Sequence, residues 1–361
     1  MRKTEFAIRF LITSTLISLI LIPLRAQDSK PDPRIKTQDE SINNLRHPSW
    51  YIPKRLGELG GVLKIGNGRK VLVLLPGMGF NHSIFTRFMM RNHDKYTMYA
   101  FTPAGYGMSV APPIPKIRDY GKRKWSKAFE RSVVEYLKKR NVKKIHLLGF
   151  FSQGVQHAIH IADSNSGFVE KLILVGGELK RELRSPVTPE VRVKVVNEQI
   201  STSWFKTVTP KTWYEGMFKP GLYSADSIRS QRVWEVANQP SIPTLVQYLC
   251  EFLADDPSEK LKNLGVPVLV VIPKFDEAYL NDKSPTNYTS ANYTRFNGSW
   301  KRFSKGLKDI SLKEVRNSRV LIFEDQPAEF DRILAEFMQI RSATTIHGEI
   351  LSGCYTTRNC L

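Results

Sequence analysis

The sequence predicts an α/β fold, a mostly parallel sheet covered by helices on both faces. Short β-branched runs alternate with amphipathic stretches along most of the 361 residues, as expected when parallel strands are joined by crossover helices. A hydrophobic content of 41% is sufficient for a large packed core. The two observations together exclude a disordered chain.

Several runs rich in Val, Ile and Leu are bounded by turn residues and have the composition of strands. They are residues 61–65, 71–75, 96–101, 144–149, 171–175, 266–272 and 319–323. Apolar residues at helical spacing predict helices between and after them. These are residues 124–139, 153–162, 244–253 and 328–340. The order of the runs predicts an α/β core formed by residues 56–178 and 266–340.

Residues 179–265 interrupt this alternation. They contain no strong strand and carry Trp204, Trp213 and Trp234. We therefore expect an inserted helical cap, placed where a substrate pocket would need a cover.

The first 26 residues have the pattern of a secretory signal. Basic residues precede an apolar run at 10–24, and the pattern places a cleavage site after Ala26. The prediction is an exported protein, periplasmic or secreted, with an uncleaved N-terminal membrane anchor as the alternative.

The segments that flank the core carry little fold information. Residues 27–55 are polar and predict a linker or arm, and residues 341–361 form a C-terminal tail. Cys354 and Cys360 in that tail could close a small disulfide loop, which suits an exported protein, whereas Cys250 lies in an apolar helical pattern and is expected to be buried. No metal site is expected from these cysteines.

The formal net charge is +20. The basic residues are dispersed, without a zinc-finger, helix-turn-helix or RNA-binding signature, so we expect a solvated basic surface and no nucleic-acid partner. Such a charge favours association with an anionic membrane surface.

A serine lies where an apolar strand stops and a helix begins. Residues 144–149 are followed by Ser152-Gln153-Gly154, and a serine on a sharp strand-to-helix turn is a common way to present a nucleophile. Acyl transfer also needs a base, an acid that orients it and donors for the oxyanion. The backbone N–H groups of Met78 and Gln153 are the natural donors.

Five segments, in this order, resemble the α/β-hydrolase superfamily across residues 60–340. They are residues 71–79, 102–109, 147–154, 267–276 and 324–330. The narrower similarity is to the capped branch that includes proline iminopeptidases and related esterases. The resemblance implies Ser152 as nucleophile, Asp276 as acid, Met78 and Gln153 as oxyanion donors, a small-molecule or peptide substrate, and neither metal nor organic cofactor.

The nucleophile turn departs from the G-x-S-x-G pattern. The glycine is Gly149, three residues before Ser152, and Phe150 occupies the usual glycine position. Alignment on Ser152 keeps Gly154, and small residues downstream favour it; alignment on Gly149 puts Phe151 in the nucleophile position. A serine that only caps the following helix is the alternative without chemistry.

The acid and the base differ in how well the sequence marks them. Asp276 ends an apolar strand, with Glu277 beside it as an alternative. Counting back from the acidic-x-Pro segment at 325–327 reaches Val320 or Arg319, and neither can act as a base near neutral pH.

Histidines elsewhere are therefore the remaining bases. After Asp276 the sequence contains His347, in the tail, and His82 follows the predicted oxyanion turn. We expect His146, His157 and His160 to have structural or surface roles.

Two functions fit this pattern. The first is an exported serine hydrolase that acts on an ester or amide through an acyl-enzyme. The second is a catalytically inactive α/β-hydrolase fold that binds a ligand or partner. Glycosylation motifs begin at Asn81, Asn287, Asn292 and Asn297, and the last three predict an exposed insertion.

Overall fold

The structure is a computed structural model that describes residues 58–181, 187–217, 223–281, 297–305 and 310–339. The predicted signal, the linker and the tail with His347, Cys354 and Cys360 lie outside the described residues. Cys250 is completely buried, as its pattern predicts.

A single sheet organises the described part of the chain. Its strands are β1 (Leu59–Ile65), β2 (Lys70–Leu75), β3 (Tyr96–Pro103), β4 (Ile145–Phe150), β5 (Val169–Val175), β6 (Val268–Lys274) and β7 (Ile310–Arg316). The spatial order is β1-β3-β2-β4-β5-β6-β7, with β1 antiparallel and every other pairing parallel. The predicted fold class is confirmed.

Helices cover both faces of this sheet. They are α1 (Thr86–Arg91), α2 (Lys124–Lys138), α3 (Gln153–Ser164), α4 (Pro189–Val195), α5 (Ser201–Thr207), α6 (Pro210–Met217), α7 (Ser227–Ala237), α8 (Ile242–Ala254), α9 (Ser258–Lys262), α10 (Glu277–Asn281), α11 (Ile322–Asp325) and α12 (Pro327–Met338). Alternate residues of a strand point to opposite faces. In β2, Leu72 and Leu74 pack on the face with α1, α8 and α12, whereas Val73 and Leu75 pack on the face with α2 and α3.

The last strand is not where the sequence predicted it. The prediction of a strand at 319–323 is wrong, because β7 is Ile310–Arg316 and residues 322–325 form α11. Among the described strands β7 pairs only with β6, and it is partly exposed, so it lacks a continuous apolar run. Residues 320–323 are apolar for a different reason: they are buried in side-chain packing, and Phe323 contacts Phe85 and Phe330.

Helices α4 to α9 lie between β5 and β6, in the interval predicted as a cap. The last long helix of this interval, α8, is joined to the core through buried carboxylates. Arg123, which precedes α2, has a left-handed backbone and provides no capping side chain. Glu251 of α8 accepts hydrogen bonds from the N–H groups of Trp125 and Ser126 instead, at 3.0 and 2.8 Å, and so satisfies the exposed amides at the start of α2.

A buried charge network continues this attachment. Arg123 pairs with Glu130 of α2 and with Asp255 at the end of α8. Two histidines of α3 complete it, with His157 Nδ1 2.8 Å from Glu130 and His160 Nε2 2.7 Å from Asp255. The arginine and histidines lower the pKa of both carboxyl groups despite their burial. The charged forms are therefore maintained because each has a partner.

Among the described residues, no helix is both long and apolar enough to cross a membrane.

His146 of β4 should make the stability depend on pH. Burial, with Lys70 and Lys171 nearby, lowers the pKa of His146 to about 4. Below its ordinary pKa of 6.5 the unfolded chain binds this proton and the folded chain does not, so stability falls as the pH drops from 6.5 towards 4. We expect the urea midpoint to fall between pH 7 and pH 5, and to fall less in His146→Gln. His93→Gln, at an exposed histidine, is the control, and identical slopes for His146→Gln and wild type would contradict the prediction.

Candidate active site

The turn between β4 and α3 has an unusual backbone. β4 ends at Phe150 and α3 begins at Gln153. Between them Phe151 has φ 56°, and Ser152 has φ 38° and ψ −95°. Residues other than glycine rarely adopt a positive φ. Each residue held in such a conformation destabilises the folded state by about 1–3 kcal/mol. Two in succession mark this turn as a strained element.

Close packing fixes the chain on both sides of that turn. A side-chain carbon at Gly149 would overlap the Gly154 carbonyl oxygen and lie 2.7 Å from Ala158 Cβ. One at Gly154 would lie 2.6 Å from the carbonyl oxygen of Leu75 in β2. Gly149 and Gly154, each of which one of the two alignments with G-x-S-x-G keeps, are therefore both required by packing. The interval between them is one residue longer than in that pattern, and the additional residue lies in the turn.

Phe151 and Ser152 face different surroundings. The Phe151 ring lies 5.9 Å from Phe80 and 5.7 Å from Tyr223. Ser152 is 3% exposed, and its backbone nitrogen abuts Gly177 at the end of β5. The Ser152 side chain makes no capping hydrogen bond to α3, which argues against a purely capping role.

The two predicted oxyanion donors come from segments in contact. Gly77 abuts the carbonyl oxygen of Phe151, so the loop that carries Met78 lies against the turn that carries Gln153. Gln153 is the first residue of α3, where N–H groups have no partner within the helix. Its side-chain Nε2 is also buried without a hydrogen-bond partner among the described residues.

Tyr106 connects these two segments. Its hydroxyl donates to Gln153 Oε1 at 2.8 Å and accepts a hydrogen bond from the Gly79 backbone. Burial raises the pKa of Tyr106 well above its usual range, so it remains a neutral donor. Tyr106 lies in residues 102–109, one of the five segments that resemble the α/β-hydrolases, and the sequence alone assigned it no role. A tyrosine between two glycines of a site loop was the available signal.

Asp276 is paired with an arginine. The Asp276 carboxylate accepts a hydrogen bond from Arg319 Nη2 at 2.7 Å. The Arg319 guanidinium is 5% exposed and lies 4.8 Å from the Phe275 ring, whereas the Asp276 side chain is 40% exposed. Val320, the next residue, is buried against Gly176 beside the turn. The structure thus brings the acid and the segment expected to carry the base together, but with Arg319 as the partner of Asp276.

The described histidines are engaged elsewhere. His82 Nδ1 lies 2.7 Å from Thr102 Oγ1, and burial lowers the pKa of His82. His146 lies near Glu170, and His157 and His160 belong to the network with Arg123. Within the described ranges, no histidine hydrogen-bonds Ser152, and His347 lies outside them.

The glycosylation motif at Asn297 does not mark an exposed site. Asn297 is 3% exposed, and its Nδ2 donates to the Pro273 carbonyl oxygen at 2.6 Å. That expectation is wrong for Asn297, because the side chain ties a helical stretch at 297–303 to β6. Asn81 is partly exposed and hydrogen-bonds Gln239, and Asn287 and Asn292 lie outside the described residues.

Comparison with known proteins identifies the architecture. No family model matches the sequence. A serine hydrolase, BPHL, from Mus musculus is 29% identical over 115 residues, which is 31% of this chain and 38% of the mouse protein. The matched region therefore spans well under half of that relative.

Solved structures match over most of the chain. A thermophilic esterase from Thermogutta terrifontis, solved with malate bound, has a TM-score of 0.56 at 17% identity and covers 77% of this chain and 92% of its own. A hydrolase from Oleispira antarctica has a TM-score of 0.58 at 11% identity, with 79% and 96% covered. A monoacylglycerol lipase from Paleococcus ferrophilus has a TM-score of 0.53 at 16% identity, with 77% and 97% covered. The chain has the α/β-hydrolase fold.

Replacement of Tyr106 tests how the site is held together. Tyr106→Phe leaves Gln153 Oε1 and the Gly79 amide without their buried partner, so we expect a loss of about 1–3 kcal/mol in the free energy of unfolding. Tyr96→Phe is the matched control, because the Tyr96 hydroxyl is buried without a partner among the described residues. Urea denaturation measures both variants, and equal losses would contradict the assigned role of Tyr106.

Proposed function

We propose that the protein binds a small carbonyl or carboxylate compound at the carboxyl edge of its sheet and does not hydrolyse it through a Ser-His-Asp triad. The hydrolase fold supplies the site, and among the described residues no histidine links Ser152 to Asp276. Esters, amides and their acid products are the ligand class, in line with the esterases and lipase that share the fold.

The pairing of Asp276 with Arg319 is the observation that carries this proposal. A triad acid accepts a hydrogen bond from an imidazole and stabilises the imidazolium that forms. Arg319 donates to one oxygen of the Asp276 carboxylate with a permanently charged group, which cannot take a proton from serine. Val320, at the other candidate position for the base, is an apolar side chain.

The donors at the turn support the ligand chemistry. The Gln153 N–H at the start of α3 has no acceptor within its own helix, and the buried Gln153 Nε2 has no partner among the described residues. The loop that carries Met78 lies against this turn. The start of α3 adds the positive end of a helix dipole. A carbonyl or carboxylate oxygen is the acceptor that donors of this kind bind.

Serine hydrolysis remains the second candidate because the strain at Ser152 favours it. Residues held in rare backbone conformations are concentrated at functional sites. In that case the base comes from His82 or from His347, the histidine beyond the described residues.

Probe labelling separates the two candidates. We expect purified protein to resist a fluorophosphonate probe, with p-nitrophenyl butyrate hydrolysis equal to that of Ser152→Ala, because none of the described histidines hydrogen-bonds the Ser152 hydroxyl to activate it. Ser83→Ala, at an exposed serine, controls for nonspecific labelling. Strong labelling that Ser152→Ala alone abolishes would refute the proposal and establish the hydrolase.

Binding is measured with butyrate by protein-detected NMR. We expect shifts in wild type that are reduced in Gln153→Met, which removes the buried amide donor at similar volume. Absence of binding by butyrate and by its esters would refute the ligand class.

We also propose that the first 26 residues direct export. N-terminal sequencing of protein recovered from its source cells should begin at Gln27, and Ala26→Arg should prevent processing, since the cleavage site requires a small residue. A mature chain that retains Met1 would contradict cleavage.

A further inference from the structure

An apolar surface run lies beside the site and has no role in the proposed function. Residues 108–119, called the proline loop, follow the carboxyl end of β3. The loop exposes Met108 (40%), Val110 (49%), Ile114 (41%) and Ile117 (79%). These are more than half of the exposed large apolar side chains among the described residues. Such a concentration marks an interaction surface rather than isolated exposure.

The proline loop is held at both ends. Ser109 Oγ accepts from the Gly105 N–H at 2.9 Å and donates to the Tyr106 carbonyl oxygen at 2.8 Å. At the other end the Tyr120 N–H donates to Asn197 at 3.0 Å, and the Arg118 guanidinium lies 4.7 Å from the Phe205 ring. Pro112, Pro113 and Pro115 further restrict the backbone. The apolar side chains are therefore presented by a constrained loop, which reduces the entropy lost on binding.

Cations surround the exposed apolar groups. Lys116 and Arg118 are exposed on the loop itself, and the adjacent turn and helix α2 expose Lys122, Lys124, Lys127 and Arg131. Two of these cations have acidic partners, Lys122 with Asp119 at 2.9 Å and Arg131 with Glu135 at 3.9 Å, and Glu130 is paired with Arg123 in the buried network. Lys116, Arg118, Lys124 and Lys127 still give the loop and the start of α2 an excess of positive charge.

We propose that the proline loop inserts its apolar side chains into an anionic phospholipid surface, while the surrounding lysines and arginines contact headgroup phosphates. Apolar groups bordered by cations are the combination that binds at a membrane interface, and each Lys or Arg near an anionic leaflet adds to the attraction. A neutral apolar partner would not account for the cations, and an acidic soluble partner would not account for Ile117.

This placement also orients the site. β3 is parallel to β2 and β4, so the proline loop and the turn at Ser152 lie at the same edge of the sheet. Docking through the loop turns that edge towards the bilayer.

Vesicle binding by the full chain provides the first test. We expect cosedimentation with vesicles of mixed phosphatidylglycerol and phosphatidylcholine, weaker binding to phosphatidylcholine alone, and weakening by added salt. The double variant Ile114→Ser/Ile117→Ser should bind about tenfold more weakly, because it removes the inserted apolar area. Ile228→Ser is the matched control, since Ile228 is 67% exposed on α7.

A local reporter removes any contribution from the N-terminal segment. Ile117→Cys and Ile228→Cys are labelled with an environment-sensitive nitrobenzoxadiazole dye in a Cys354→Ser/Cys360→Ser background, where the remaining Cys250 is buried. Phosphatidylglycerol vesicles should shift the emission at position 117 to the blue and leave position 228 unchanged. No shift at 117, or equal shifts at both positions, would overturn the proposal. The same shift with soluble polyglutamate would overturn it in favour of an acidic protein partner.

Discussion

Close packing on both sides of the turn between β4 and α3 is the constraint on which the candidate site depends. β4 lies between β2 and β5, and α3 is fixed by the contacts of Gly149 and Gly154. The turn between these glycines adopts positive φ at Phe151 and Ser152. The Phe151 ring lies in an aromatic cluster with Phe80 and Tyr223.

The segment expected to carry the base lies beside this turn. At the position where the sequence pattern would place the base, the chain carries Val320, which is buried against Gly176. Asp276 is stabilised instead by Arg319, whose planar guanidinium also stacks on Phe275. In the part of the chain that the structure describes, the strained turn, the Asp276–Arg319 pair and the buried Val320 therefore lie at the same edge of the sheet.

The sequence predicted the central strands and the fold class because buried parallel strands are continuous apolar runs. The prediction was wrong for β7, because buried and exposed residues alternate in this edge strand. Residues 320–323 have the apolar composition of a strand because they are buried. Asp276 could be found by its position after β6, but its partner could not, since the pairing with Arg319 joins residues far apart in the chain. Spacing alone could not choose between the alignments with G-x-S-x-G that keep Gly149 and Gly154, because both glycines are closely packed in the structure.

The attachment of α8 has a mechanical consequence for access to the site. If α8 moved away from the core, Glu251 and Asp255 would leave their partners in a region of low dielectric, which is costly for carboxylates. Opening of the helical insertion as one rigid unit would therefore carry this electrostatic cost. A rearrangement before Ser241, among α4 to α7, would leave these buried pairs intact, and a π-helical turn at Val196–Ile200 already interrupts the regular helix there.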